Sequence, residues 1–88
     1  MELQQCPCCD YYTLEVRHDW DICPVCFWED GDTDLSSLDA PSPCNHGLTL
    51  REARANFLRI GACEPKMLEH VCAAEARASY RHEVRRGT

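Results

Sequence analysis

Apolar and polar positions alternate in two short stretches near the N-terminus, TLEV (Thr13 to Val16) and DWDI (Asp19 to Ile22), and a period of two predicts a β-hairpin. With Arg17 and His18 between them, Leu14, Val16, Trp20 and Ile22 would share its buried face. After FWED the periodicity stops, and residues 29–47, rich in Asp, Ser, Pro and Gly, read as an acidic surface loop. Helical periodicity begins at TLREARANFLRIG. Thr49 and Glu52 are spaced as a capping box, Leu50, Ala53, Phe57 and Ile60 fall on one face, and Gly61 is placed to end a helix over 48–61. Pro65 opens a second helix, expected over 64–86, with Met67, Leu68, Val71 and Cys72 as its apolar stripe. Its end turns basic: Arg77, Arg81 and Arg85 recur every fourth residue, and the last turns are expected to project into solvent with Arg85 and Arg86 complementing the helix dipole.

This pattern predicts a single α+β domain over residues 1–88: a small β-hairpin held between two cysteine knuckles at 5–28, the loop at 29–47, and two helices. An 88-residue chain buries too little apolar surface for a robust core, so a further staple is expected. The eight cysteines are the candidates. MELQQCPCCD lacks the basic start and apolar run of a secretory signal, and nowhere do 18 apolar residues follow one another. Both point to a cytoplasmic protein away from membranes. In a reducing cytosol, paired C-x-x-C stretches indicate metal rather than disulfides.

Aligned on their prolines, Cys6-Pro7-Cys8-Cys9 and Cys23-Pro24-Val25-Cys26 are the same C-P-x-C unit, and Cys8 then matches Val25. The full spacing is C-x2-C-x13-C-x2-C, which aims four sulfurs at one ion. A structural zinc site on Cys6, Cys9, Cys23 and Cys26 is expected, one ion per chain. Rubredoxin-like iron in the same sulfurs, or a cluster recruiting Cys8, is the alternative. A closed four-thiolate set has no open position for catalysis, and a thioredoxin-type redox pair would need a βαβ pattern that is missing here.

No other constellation predicts an enzyme. Cys44, Asn45 and His46 are adjacent in a loop, where nucleophile and base seldom face one another; His46 is expected to bond loop backbone. Asp30 to Asp34 alternate like a calcium loop, but Leu35 and Pro41 stand where Gly and Glu are required. Cys63 and Cys72 read as small core or interface residues.

The net charge of −6 divides unevenly: residues 1–45 hold ten acids against the single base Arg17, and residues 46–88 hold five acids against eight bases, giving −9 and +3. The acidic half is a poor surface for a phosphate backbone and suits a basic protein partner. Trp28, Glu29, Asp30, Asp32 and Asp34 are the candidate partner-binding residues, with an exposed aromatic beside the acids as anchor. The basic tail keeps nucleic acid as a weaker alternative.

The stretches CPCCDYYTLE, WDICPVCFWED and NHGLTLREARANF, in this order over residues 5–63, resemble the bacterial cysteine-rich CPCC family. The resemblance implies a small zinc-ribbon-like protein. It also implies a role as an immunity protein, because some members accompany polymorphic antibacterial toxins. The expected function is then to neutralise a cognate toxin, a nuclease or an ADP-ribosyltransferase, by occluding its active site. The alternatives are a zinc-ribbon adaptor for nucleic acid or the transcription and translation machinery, and a rubredoxin-like iron protein.

Overall fold

Each C-P-x-C stretch turns the chain back on itself, and the computed structural model, which describes residues 2–85, has matching hydrogen bonds at both. The amide of Asp10 donates to the Cys6 carbonyl at 3.0 Å, and that of Phe27 to the Cys23 carbonyl at 2.8 Å. The Cys6 and Cys23 amides donate in turn to the carbonyls of Tyr11 (2.8 Å) and Trp28 (2.9 Å). Both turns close through a left-handed residue, Asp10 at φ 69° and Phe27 at φ 68°. A side chain in that region carries about 1–2 kcal/mol of strain.

The strands follow from these turns. β1 (Gln4–Gln5) and β2 (Tyr12–Leu14) pair antiparallel around the first knuckle, with Gln4 opposite Leu14 and Gln5 opposite Tyr12. Around the second knuckle an isolated bridge joins Ile22 to Glu29. The α+β class is as expected, but the hairpin is not where the alternation placed it. Instead of one hairpin strung between the knuckles, each knuckle is the tip of its own.

The reason lies in residues 17–20. The fully buried Asp30 carboxylate accepts from Arg17 Nε and from the His18 amide, both at 2.8 Å, and curls the chain inward. His18 and Trp20 adopt φ 59° and 60°, which interrupts any extended run. Of the four residues expected on a buried face only Leu14 is buried; Val16, Trp20 and Ile22 remain 54%, 52% and 47% exposed.

Residues 29–47 contain no strand of length and only single 3-10 turns at Leu35–Ser37 and Pro43–Asn45. The segment is less superficial than its composition implies. Asp30, Thr33, Ser42 and Asn45 are buried, and the Asn45 side chain bonds both the amide (2.9 Å) and the carbonyl (2.8 Å) of Glu29. Buried loop backbone needs such partners.

α1 (Leu50–Ile60) starts at Thr49, whose hydroxyl accepts from the Glu52 amide while Glu52 reaches back to the Thr49 amide, and stops at Gly61, left-handed at φ 83°. Leu50 and Ala53 are buried and Phe57 packs against the core. The long helix expected over 64–86 does not form. A 3-10 turn at Pro65–Met67 and the short α2 (Ala74–Ala78) take its place. A continuous helix would need the Cys72 amide for its own ladder, whereas that amide donates to the Pro24 carbonyl at 2.8 Å. The basic end also does not project into solvent. It folds back along β2, with the Tyr12 amide donating to the Arg81 carbonyl at 2.8 Å and a bridge from Tyr11 to His82. Arg86, expected at the helix end, lies outside the described residues.

Of the eleven residues in the buried core cluster, six are cysteines; the rest are Leu14, Val25, Trp28, Leu50 and Ala53. So little hydrocarbon gives small hydrophobic stabilisation, and internal polar bonds matter more. Asp30→Ala, which leaves Arg17 and the His18 amide without their buried acceptor, is expected to lower the stability of the metal-loaded protein by about 2–3 kcal/mol in urea denaturation. Asp32→Ala, at an exposed position, should change it by less than about 0.5 kcal/mol.

Candidate metal centre

The two knuckle tips meet. The Sγ atoms of Cys6, Cys9, Cys23 and Cys26 all lie within 4.8 Å of one another and are buried. Cys6 and Cys26 sulfurs are 3.7 Å apart, and those of Cys9 and Cys23 are 3.6 Å apart. A disulfide needs about 2.0 Å, and all eight cysteines are free thiols. Four sulfurs each about 2.3 Å from a central ion stand roughly 3.8 Å apart at the corners of a tetrahedron. The cluster therefore fits one tetrahedral metal ion, held by the four cysteines that the spacing predicts.

Electrostatics point the same way. Burial pushes the Cys26 thiol up, and the hydrogen bond to Cys23 does the same to Cys9. Cys23 moves in the opposite direction: burial disfavours its thiolate, but hydrogen bonds from Cys26, Cys6, Cys9 and Thr13 outweigh it. Burial and mutual hydrogen bonding thus pull the sulfurs in opposite directions. A bound metal ion would supply the positive charge the cluster lacks and favour the thiolate form of all four.

Around the sulfurs lies a layer of contacts that residue types alone do not announce. Thr13 Oγ1 donates to Cys23 Sγ at 3.0 Å, a position β2 supplies directly after its knuckle. From α1, Arg54 Nη1 donates to the Pro7 carbonyl at 2.6 Å and to Asp10 Oδ1 at 2.8 Å, and Arg85 Nε reaches the same Oδ1 at 2.7 Å. Burial raises the Asp10 carboxyl, but these two guanidinium groups overcome it and hold it below its ordinary value. The second knuckle is held by backbone: the Cys63 amide donates to the Cys26 carbonyl at 2.9 Å, as Cys72 does to Pro24. The position after each knuckle is structurally equivalent but holds different residues, Asp10 and Phe27, so the sequence carries no signal for these contacts.

Cys8 is buried in the core but outside the four-sulfur set, matching Val25 in the other knuckle. Cys63 is buried, and burial pushes its thiol up to about 12. His46, expected to bond loop backbone, instead places Nδ1 2.8 Å from Glu64 Oε2.

The expected partner-binding group does not form one exposed surface. Trp28 is fully buried beneath the knuckle, because its carbonyl closes the turn at Cys23 and its ring fills the core. Asp30 is equally buried. Asp34 caps the 3-10 turn at Leu35 and pairs with Arg17 Nη2 at 3.1 Å and His18 Nε2 at 3.0 Å. Within this group Asp32, exposed, and Glu29, half-buried, have no ion pair with any described residue.

Comparison with known proteins gives one family. The model described as Cysteine-rich CPCC matches residues 4–78, well beyond the 5–63 of the sequence resemblance and into α2. No curated protein and no solved structure matches the chain.

The centre makes a discriminating set of expectations. Elemental analysis of the purified protein should find one metal per chain, and Cys26→Ser should lose both the metal and the folded state. Cys8→Ser and Cys44→Ser should each keep the full stoichiometry. Thr13→Val, which removes only the hydroxyl on Cys23, should keep the ion but weaken its affinity about tenfold in a chelator competition.

Proposed function

The chain belongs to the cysteine-rich CPCC family, and from that premise we propose that it is a metal-stapled protein-binding module, an immunity protein whose partner is an antibacterial toxin. One observation carries the binding reading. All four sulfurs are buried at the meeting point of the knuckles, and four ligands complete a tetrahedron. Such an ion is closed to substrate and stiffens a surface. No reaction is assigned to the protein itself, and it would act by covering the active site of its partner.

Zinc is the proposed ion, because a four-thiolate tetrahedron without an open position satisfies it fully. Its contribution is to join two short hairpins that could not otherwise hold a fold. The net charge of −6 favours a basic partner such as a nuclease domain, with an ADP-ribosyltransferase the other class considered. A cytoplasmic location is part of the same proposal.

The nucleic-acid adaptor is less well supported than the tail's composition implies. Arg85 is committed to Asp10, Arg81 stacks over Tyr12 at 4.4 Å, and Arg77 lies over Phe57 at 5.9 Å. Phosphate binding needs cations that are free to approach it.

Gentle purification of the tagged, metal-loaded protein from its own cells, followed by mass spectrometry, tests the reading. The expected result is one basic protein in stoichiometric amount whose toxicity is relieved when the two are co-expressed. Ribosomal or polymerase subunits, or nuclease-sensitive material, would overturn it. A colourless preparation is expected for zinc; visible thiolate-to-iron absorption would transfer the site to iron.

A further inference from the structure

Ion pairs absorb several carboxylates of the acidic half: Asp10 with Arg54 and Arg85, Asp30 and Asp34 with Arg17, Asp39 with Arg51. Glu29 differs. Its backbone is fixed by Asn45, and no ion pair meets its carboxylate among the described residues. It lines a cavity of about 210 Å³ whose walls include Ile22, Phe27, His46, Glu64 and Met67. Glu64 is only 8% exposed, and His46 Nδ1 fixes its carboxylate at 2.8 Å. The Phe27 ring is held by stacking on His70, with centroids 5.0 Å apart. Two carboxylates thus stand at a cavity with aliphatic and aromatic walls.

Size narrows the occupant. Pockets for drug-sized ligands and cofactors run to roughly 300–1,000 Å³, so this one accommodates a single side chain. Charge narrows it further, because an apolar stem ending in a cation matches these walls and these acids. The rim then distinguishes a protein from a free amine. Trp20 Nε1 and Cys44 Sγ each lie 3.0 Å from where a Cβ on Gly31 would stand, so the half-exposed indole sits beside another cavity-lining residue. Ile22, also half-exposed, is part of the cavity wall itself, and exposed apolar side chains near a cavity are the kind that interface anchors use.

We propose that this cavity receives a lysine or arginine side chain of the protein partner, with Trp20 and Ile22 packing against the partner's flanking residues. The inference rests on the protein-binding reading and moves its contact surface from residues 28–34 to the face between the second knuckle and the Glu64 segment.

The test titrates metal-loaded, full-length, isotope-labelled protein by NMR with a blocked Leu-Ala-Lys-Ala-Leu peptide, its Arg counterpart, a Gln control and blocked lysine alone. The Lys and Arg peptides are expected to shift the amides of Ile22, Phe27, Glu29 and Glu64 and the indole of Trp20 saturably. The Gln peptide should bind at least about tenfold more weakly, and Glu29→Gln should weaken the Lys peptide about three- to fivefold. Trp20→Ala should weaken the peptides but leave blocked lysine unchanged. Shifts scattered over exposed acids such as Asp19, Asp32 and Glu75, or equal binding of the Gln peptide, would overturn the cavity assignment. Blocked lysine binding as tightly as the peptide would overturn the protein occupant. Each of these outcomes is independent of whether a partner co-purifies, so the cavity and the protein-binding reading fail separately.

Discussion

Four buried sulfurs within 4.8 Å of each other are an arrangement that the protein matrix does not satisfy by itself. Thiols are weak donors, adjacent thiolates repel, and among the described residues one hydroxyl, that of Thr13, bonds a sulfur of the set. A metal ion at the centre would convert that conflict into four bonds. Because six of the eleven core residues are cysteines, the same bonds take the place of hydrophobic burial that an 88-residue chain lacks. The packing of both hairpins, of α1 and of the returning tail is built on this constraint.

The knuckles share a local design and differ in what locks them. Identical forward and backward hydrogen bonds and a left-handed fourth residue after the first cysteine give both the same turn. The first is then secured by charge, with Arg54 and Arg85 converging on Asp10, and the second by main chain, through the amides of Cys63 and Cys72. α1 connects these locks: residue 54 serves one knuckle, and the left-handed turn at Gly61 delivers residue 63 to the other. Asn56 Nδ2, bonded to the Cys63 carbonyl at 2.9 Å, fixes that delivery. One helix therefore holds both halves of the ligand set in register.

What the sequence makes legible is the chemistry with rigid local rules. The doubled C-P-x-C spacing selects the four sulfurs, and Thr49, Glu52 and Gly61 bound α1 where the helix in fact runs. Four-residue alternations carry less information, because a period of two over TLEV and DWDI is also compatible with a curl around Asp30. The stronger cue was the knuckle repeat itself, which matches Tyr11 with Trp28 and so puts a hairpin around each turn. The second helix was misread for a different reason. Helical propensity in 64–86 is real, but tertiary hydrogen bonds at Cys72 and Arg81 compete for the same backbone groups and prevail.

Charge counted along the chain misled in a similar way. An acidic run such as Asp30 to Asp34 reads as a surface, yet Asp30 is an internal acceptor and Asp34 a helical cap, so both carboxylates are spent on folding. Pairing does not change the total. A net charge of −6 still acts on an approaching cation over roughly a Debye length, about 8 Å at physiological salt. At closer range a carboxylate counts by what surrounds it: Glu29 has no ion pair among the described residues and stands beside the apolar walls of its cavity, whereas Glu64 in the same cavity is held by His46. Long-range attraction and local binding surface thus draw on different subsets of the same acids, the first set by composition and the second visible only after the knuckles have folded.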